Sequence, residues 1–184
     1  MINFLSILTV IGQIISLFLI WTLLRGWLFK KQTPKINAFI QHYGLIFMLV
    51  VALTATGGSL YFSEILMWAP CKLCWFQRIF IYPQVPLLLV ALWKKDKTIA
   101  SYLLFLCMIG LLFSVRHYIE QIMATFFPPD VDPFTPCDTT GVSCATTYTF
   151  RFGYITIPMM AFTALLMNGL TSVLLLRKGG SDKK

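Results

Sequence analysis

At 184 residues, 58% of them hydrophobic and only 12% charged, the chain carries too little polar surface to cover a water-soluble globule. Its mean hydropathy of +0.77 places it in a lipid bilayer instead. The net charge of +8 could suggest a nucleic-acid partner, but 11 of the 15 basic residues gather at alternate ends of apolar segments, which argues against one.

Five apolar stretches, at residues 2–29, 39–62, 75–93, 98–119 and 152–176, each approach the ~20 residues that a spanning helix needs. The expectation is an all-α integral membrane protein of helices and short loops. The first stretch has no basic leading region and exceeds the apolar length of a signal peptide, so it reads as a retained helix with its N-terminus outside. Residues 30–38, with Pro34, read as a short cytoplasmic linker that sets this helix apart from the other four.

Charge fixes the orientation. Arg25, Lys30, Lys31 and Lys35 follow the first span, Lys94, Lys95 and Lys97 follow the third, and Arg177, Lys178, Lys183 and Lys184 follow the fifth. The positive-inside rule makes all three clusters cytoplasmic, including the 179–184 tail. The loops at 63–74 and 121–151 then face outward, where Lys72 and Arg151 are set against Glu64, Asp130, Asp132 and Asp138.

Four of the five cysteines fall in those outer loops: Cys71, Cys74, Cys137 and Cys144. Cys107 sits in mid-span, where a thiol behaves as a small hydrophobe. The outer four could be two structural disulfides, a metal site, or two redox pairs. A Cys-x-x-Cys crosslink closes so short a loop that it removes little chain entropy, which makes Cys71 and Cys74 a poor staple. The second pair, six residues apart without a nearby histidine, fits zinc poorly, so metal is not expected. Redox exchange is the leading reading.

Local chemistry supports it. A helix starting near Cys74 would present its positive dipole end to that sulfur, and Arg78, one turn on, adds a charge that cannot be lost. At the outer end of the fourth span Arg116 and Glu120 are spaced to pair, while His117 falls on another face at a depth similar to Arg78. Small residues at Thr54, Thr56, Gly57, Gly58 and Ser59 allow close helix packing, and Pro83 and Pro86 are positioned to kink the third span. His42 has no comparable partner.

The segment Cys71-Lys72-Leu73-Cys74-Trp75-Phe76-Gln77-Arg78 resembles the quinone-linked motif of the DsbB family of membrane thiol:quinone oxidoreductases, in its short-loop BdbC-like branch. Supporting segments are Gly58-Ser59-Leu60-Tyr61-Phe62-Ser63-Glu64, His117-Tyr118-Ile119-Glu120-Gln121, Pro136-Cys137 with Cys144, and Phe152-Gly153-Tyr154-Ile155-Thr156-Ile157-Pro158. The resemblance implies a four-helix redox core at 39–178, with residues 1–29 as an additional N-terminal transmembrane helix.

It further implies an enzyme of the bacterial cytoplasmic membrane that reoxidises an extracytoplasmic, thioredoxin-fold DsbA/BdbD-like thiol oxidase. The electrons would pass to a membrane quinone, menaquinone or ubiquinone, in support of disulfide formation in exported proteins. Cys137 would take the mixed disulfide with the partner, Cys144 would be its loop mate, and Cys71 would exchange with that pair. Cys74 would face the quinone beside Arg78, with His117 nearby. Two alternatives stay open: a reductase working in the opposite net direction, as vitamin K epoxide reductases do, and a membrane scaffold with inert disulfides.

Overall fold

The computed structural model describes residues 1–28, 34–126 and 143–177. Among them are six α-helices: α1 (Ile2–Leu28), α2 (Pro34–Leu60), α3 (Lys72–Ile81), α4 (Gln84–Lys94), α5 (Ile99–Phe126) and α6 (Ile157–Leu176). Five helical segments are long and apolar enough to cross a membrane, with α3 and α4 forming one span between them. The architecture is an all-α, multi-pass membrane bundle: a four-span core plus an N-terminal span.

α6 is the central helix. Half of its most apolar window is buried, against 22–28% for the other spans, and it packs against α1, α2 and α5. Met48, Leu88, Leu103, Leu174 and Leu175 form the core on the cytoplasmic side. Bilayer tails are as apolar as leucine, so polar contacts and close packing must hold such helices together. The Asn168 amide of α6 donates to Gln84 Oε1 at 2.8 Å and to the Met48 carbonyl at 3.3 Å. Gln84 donates in turn to the Phe80 carbonyl and towards the Cys107 sulfur.

That Phe80 contact lies beside the break in the third span. Tyr82 and Pro83 separate α3 from α4. Proline has no N–H to give, and the Gln84 side chain supplies a donor to the Phe80 carbonyl beside the break. Cys107 is fully enclosed against this network, far from any role at the surface.

α1 is not set apart from the bundle. Its lipid face carries Phe4, Ile7, Ile14 and Trp21, while Ser6, Thr9, Gly12, Ser16 and Leu19 form a buried stripe of mostly small residues. The three hydroxyls bond back to Ile2, Leu5 and Gly12 carbonyls, so they pack without an unmet polar group. At Gly12 a Cβ would lie 2.8 Å from the Met167 sulfur and 3.0 Å from the Thr163 methyl, so glycine lets α1 seat on α6 without displacing those side chains. The Arg177 guanidinium fastens the cytoplasmic end by donating to the Leu23 carbonyl.

Several boundaries differ from the sequence expectation. α2 begins at Pro34, inside the expected 30–38 linker, and α5 runs to Phe126, six residues into the expected 121–151 loop. The 63–74 loop starts as a π-helical continuation of α2, Tyr61–Ile65, and ends in the first turn of α3. α6 starts at Ile157, because residues 151–155 close a turn in which Arg151 and Ile155 exchange backbone hydrogen bonds of 2.9 and 2.8 Å. Gly153 takes φ +77° there, a conformation that glycine adopts without steric cost.

Candidate active site

The outer end of the bundle is built around the first turn of α3. Leaving the π-helical turn, Met67 adopts a left-handed conformation and reverses the chain. Trp68 is thereby laid flat between Phe62 and Tyr148, with ring centroids 5.4 and 5.1 Å away. Cys71 then caps α3 with extended backbone, and its sulfur accepts from the Cys74 amide at 3.4 Å. The cap brings the two sulfurs to 3.2 Å, with the Cys71 thiol donating to Cys74.

A third sulfur joins them. The Leu73 amide, at the start of α3, donates to Cys144 Sγ at 3.5 Å, and Cys144 also interacts directly with Cys71. The segment carrying Cys144 is fixed by Gln121 donating to the Thr146 carbonyl and by the Tyr148 hydroxyl donating to the Ala69 carbonyl. Cys144, Cys71 and Cys74 thus form a chain in which Cys71 is the middle member. Cys137, the remaining outer cysteine, lies outside the described residues.

His117 is 1% exposed and meets Cys71: its Nε2 is 3.6 Å from the sulfur. Its Nδ1 is 3.3 Å from Gln77 Nε2. An amide nitrogen can only donate, so Nδ1 is the acceptor and the ring proton sits on Nε2, facing Cys71. Gln77, itself buried, therefore orients the imidazole. Arg116, by contrast, pairs with Glu120 on the exposed face at 2.7 Å.

Among the described residues Cys71, Cys74 and His117 also place three possible ligand atoms within 4.8 Å of one another. Among the described residues, the two thiols outside the spans, Cys71 and Cys144, are hard to ionise. The Cys71 thiol is pushed up to about 12 by its hydrogen bond to Cys74 and by burial, against the opposing contact with His117. Burial pushes Cys144 up to about 12 as well. In the dithiol state both are therefore protonated at neutral pH.

Arg78 lies on the other side of Cys74. Its Nε donates to Ser59 Oγ at 3.1 Å and its Nη2 to the Ser59 carbonyl at 3.3 Å, while Tyr82 donates its hydroxyl to the same Ser59 oxygen. The guanidinium also rests over the rings of Trp75 and Tyr82, 5.2 and 5.9 Å from their centroids. Held by both its chemistry and its stacking, the cation faces a cavity of about 280 Å³. Cys74, Gln77, Arg78 and Tyr82 line one wall of this cavity, and apolar residues of α1, α2 and α6 line most of the rest.

Thr54, Gly58 and Ser59 reach the cavity, whereas Thr56 and Gly57 are not among its lining residues, and neither is His117. Gln77 and Tyr82 are the functional neighbours that sequence reasoning passed over. A glutamine in an apolar span was the available signal.

A dithiol capping a helix, a third sulfur against it and a fixed cation beside a membrane cavity define a membrane-embedded thiol–disulfide oxidoreductase. Sequence comparison agrees: residues 41–176 match the profile of the family described as disulfide bond formation protein DsbB. The chain belongs to the DsbB family, and it is a disulfide-generating enzyme of a multi-pass membrane type.

The chain is 43% identical to the probable disulfide formation protein C of Halalkalibacterium halodurans, over 70% of its own length and 90% of that protein's. It is also 43% identical to the disulfide bond formation protein C of Bacillus subtilis, over 64% and 81% of the two chains. The probable disulfide formation protein of Coxiella burnetii is 36% identical, over 72% and 86%. No solved structure gives a significant match.

Proposed function

We propose that the protein oxidises an extracytoplasmic thioredoxin-fold dithiol of the DsbA/BdbD type and delivers the electrons to a membrane quinone bound between Cys74, Arg78 and the apolar cavity wall. The single observation that carries this reading is the position of Cys71, in contact with Cys144 on one side and 3.2 Å from Cys74 on the other.

The exchanges balance as follows. A partner thiolate attacks Cys137 of a Cys137–Cys144 disulfide, forming a mixed disulfide and releasing Cys144 as thiolate. Cys144 attacks Cys71 of the Cys71–Cys74 disulfide, so the Cys144–Cys71 bond forms and Cys74 leaves as thiolate beside Arg78. The partner's second thiolate resolves the mixed disulfide, releasing oxidised partner and Cys137. Cys137 then attacks Cys144, restoring the Cys137–Cys144 bond and freeing Cys71. The partner has lost two electrons, and the Cys71/Cys74 pair holds them.

The short approach between the three sulfurs favours the middle exchange, since thiol attack needs close access as well as thiolate. When Cys71 leaves in the last exchange, the Nε2 proton of His117 is within reach of its sulfur. Arg78 stabilises the anion that remains on Cys74. The quinone supplies the two-electron, two-proton sink that makes the sequence run forward. The cavity suits such a molecule, because its wall is largely apolar and its one fixed cation lies beside the reactive sulfur.

The test is purified protein in detergent with a reduced thioredoxin-fold dithiol. Oxidation is expected only when quinone is added, and oxidation indifferent to quinone would refute the proposal. The direction is tested in the same mixture: net reduction of the partner by quinol would favour the reductase alternative.

A further inference from the structure

The N-terminal helix lies wholly outside the region that matches the family profile, residues 41–176, yet it forms one side of the cavity. α1 lies along α6 and stands off α2, and the cavity occupies the gap between α1 and α2. Leu5, Leu8, Thr9, Ile11, Gly12 and Ile15 are the α1 contribution. At the outer end Leu5 closes against Gly58 of α2.

Three physical features give this wall a purpose. It is fixed, by the Gly12 contact with Met167, by the bond from Arg177 to Leu23, and by the Tyr154 hydroxyl donating to Gln13 Oε1 at 2.8 Å. It is apolar, since the hydroxyl of Thr9, its one polar side chain, is spent on the Leu5 carbonyl. It is also long: from Leu5 to Ile15 the helix advances ~15 Å, well beyond the reach of Arg78 and Cys74 at the polar end. Packing of α1 against the core would need only its contacts with α6. The unfilled space it leaves towards α2 is what packing does not explain.

We propose that α1 is the wall that binds the apolar tail of the electron acceptor, and that it makes the enzyme selective for a quinone carrying an isoprenoid chain over the same ring without one. This rests on the assignment of the cavity to the quinone. The ring is held at Cys74 and Arg78, and the chain lies along Leu8 and Ile15 on α1 opposite Phe47 and Val51 on α2. The lipid-facing stripe of α1 takes no part, so Ile14, which is 62% exposed, serves as an internal control.

The experiment uses the full-length protein in detergent with a reduced thioredoxin-fold dithiol as donor. Acceptors are a tailed menaquinone and menadione, the same ring without a chain, with a tailed ubiquinone and its tail-less ring run beside them. Wild type is expected to show a KM at least tenfold lower for the tailed member of the pair it uses. Leu8→Trp and Ile15→Trp are expected to raise the KM for the tailed quinone about tenfold and the tail-less KM less than twofold. Ile14→Trp is expected to leave both unchanged.

Quinone-independent thiol exchange between the donor and the four outer cysteines reports whether each variant is folded. Where a tryptophan variant loses that exchange, Leu8→Ala and Ile15→Ala replace it, with a selective loss of about threefold expected. A wild type that treats tailed and tail-less rings alike, or variants that raise both KM values together, would overturn the role of α1 while leaving the quinone site intact. A wild type that no quinone stimulates would overturn the site itself, and this proposal with it.

Discussion

His117 Nε2 stands 3.6 Å from the sulfur of Cys71, and the opposite ring nitrogen is held by Gln77. The histidine therefore addresses the middle sulfur of the relay and not the cavity. The Nε2–H can donate a hydrogen bond to the Cys71 sulfur as it leaves, which stabilises the charge there until the pair is reoxidised.

His117→Leu is expected to slow exchange between Cys144 and Cys71 by about 10- to 100-fold, the range of a lost hydrogen bond to an ionised group, ~1.5–3 kcal/mol. The acceptor KM should not move. Gln77 is a positioning residue, so Gln77→Leu should shift the pH profile of the same exchange, and Gln77→Glu should not restore the rate, because a carboxylate cannot donate to Nδ1 and draws the ring proton away from Cys71. Stopped-flow mixing of reduced partner with oxidised protein reads both, and an altered acceptor KM without altered exchange would contradict the assignment.

Arg78→Leu should slow electron delivery to the quinone by about 10- to 100-fold while sparing partner exchange. Arg78→Lys should recover little. The arginine places Nε and Nη2 on the Ser59 hydroxyl and carbonyl together, a fork that an ammonium cannot reproduce. Single-turnover measurement of each half-reaction decides the matter, and equal losses in both would refute the role.

Cys144→Ser mixed with oxidised partner should accumulate a mixed disulfide at Cys137: the Cys137 thiolate attacks the partner's disulfide and releases one partner thiolate, and Cys144, which would attack Cys137 and displace the partner, is gone. Non-reducing electrophoresis followed by peptide mapping identifies the bonded cysteine. An adduct through Cys71 instead would show that the partner bypasses the outer pair.

In the fully reduced protein, Cys71 and Cys144 are both pushed from 9.0 up to about 12. Each unit is tenfold in thiolate, so alkylation at pH 8 should run roughly 1000-fold more slowly at these positions than at a free cysteine. The sign for stability follows. The fold prefers the protonated thiols, so their contribution is complete below pH 9 and is lost as pH climbs towards 12. Mass-spectrometric alkylation rates between pH 7 and 10 check this, and rapid labelling of Cys71 at pH 7 would contradict it.

The spans were legible because their length and apolarity leave no other solution in a bilayer, and the break at Pro83 was legible for the missing N–H. The seating of α1 was not. A charged linker says nothing about docking, and the informative signal was the small-residue stripe Ser6, Thr9, Gly12 and Ser16, whose partner on α6 is fixed only by tertiary packing. At the site, the Cys71, Cys74 and Arg78 grouping follows from one helical turn. Which neighbour His117 would meet depends on the rotation of α5 about its axis, which depth alone does not determine. The convergence of Cys144 on the Leu73 amide is similarly a contact between segments 71 residues apart.

The most direct test of the account is the stoichiometry of the complete reaction: quinol formed against partner disulfide formed, measured in one anaerobic mixture of purified protein, reduced partner and quinone. One quinol per disulfide, with Cys71→Ser abolishing both, is the predicted result. Partner disulfide formed without quinol, or quinol formed by the Cys71→Ser variant, would contradict it.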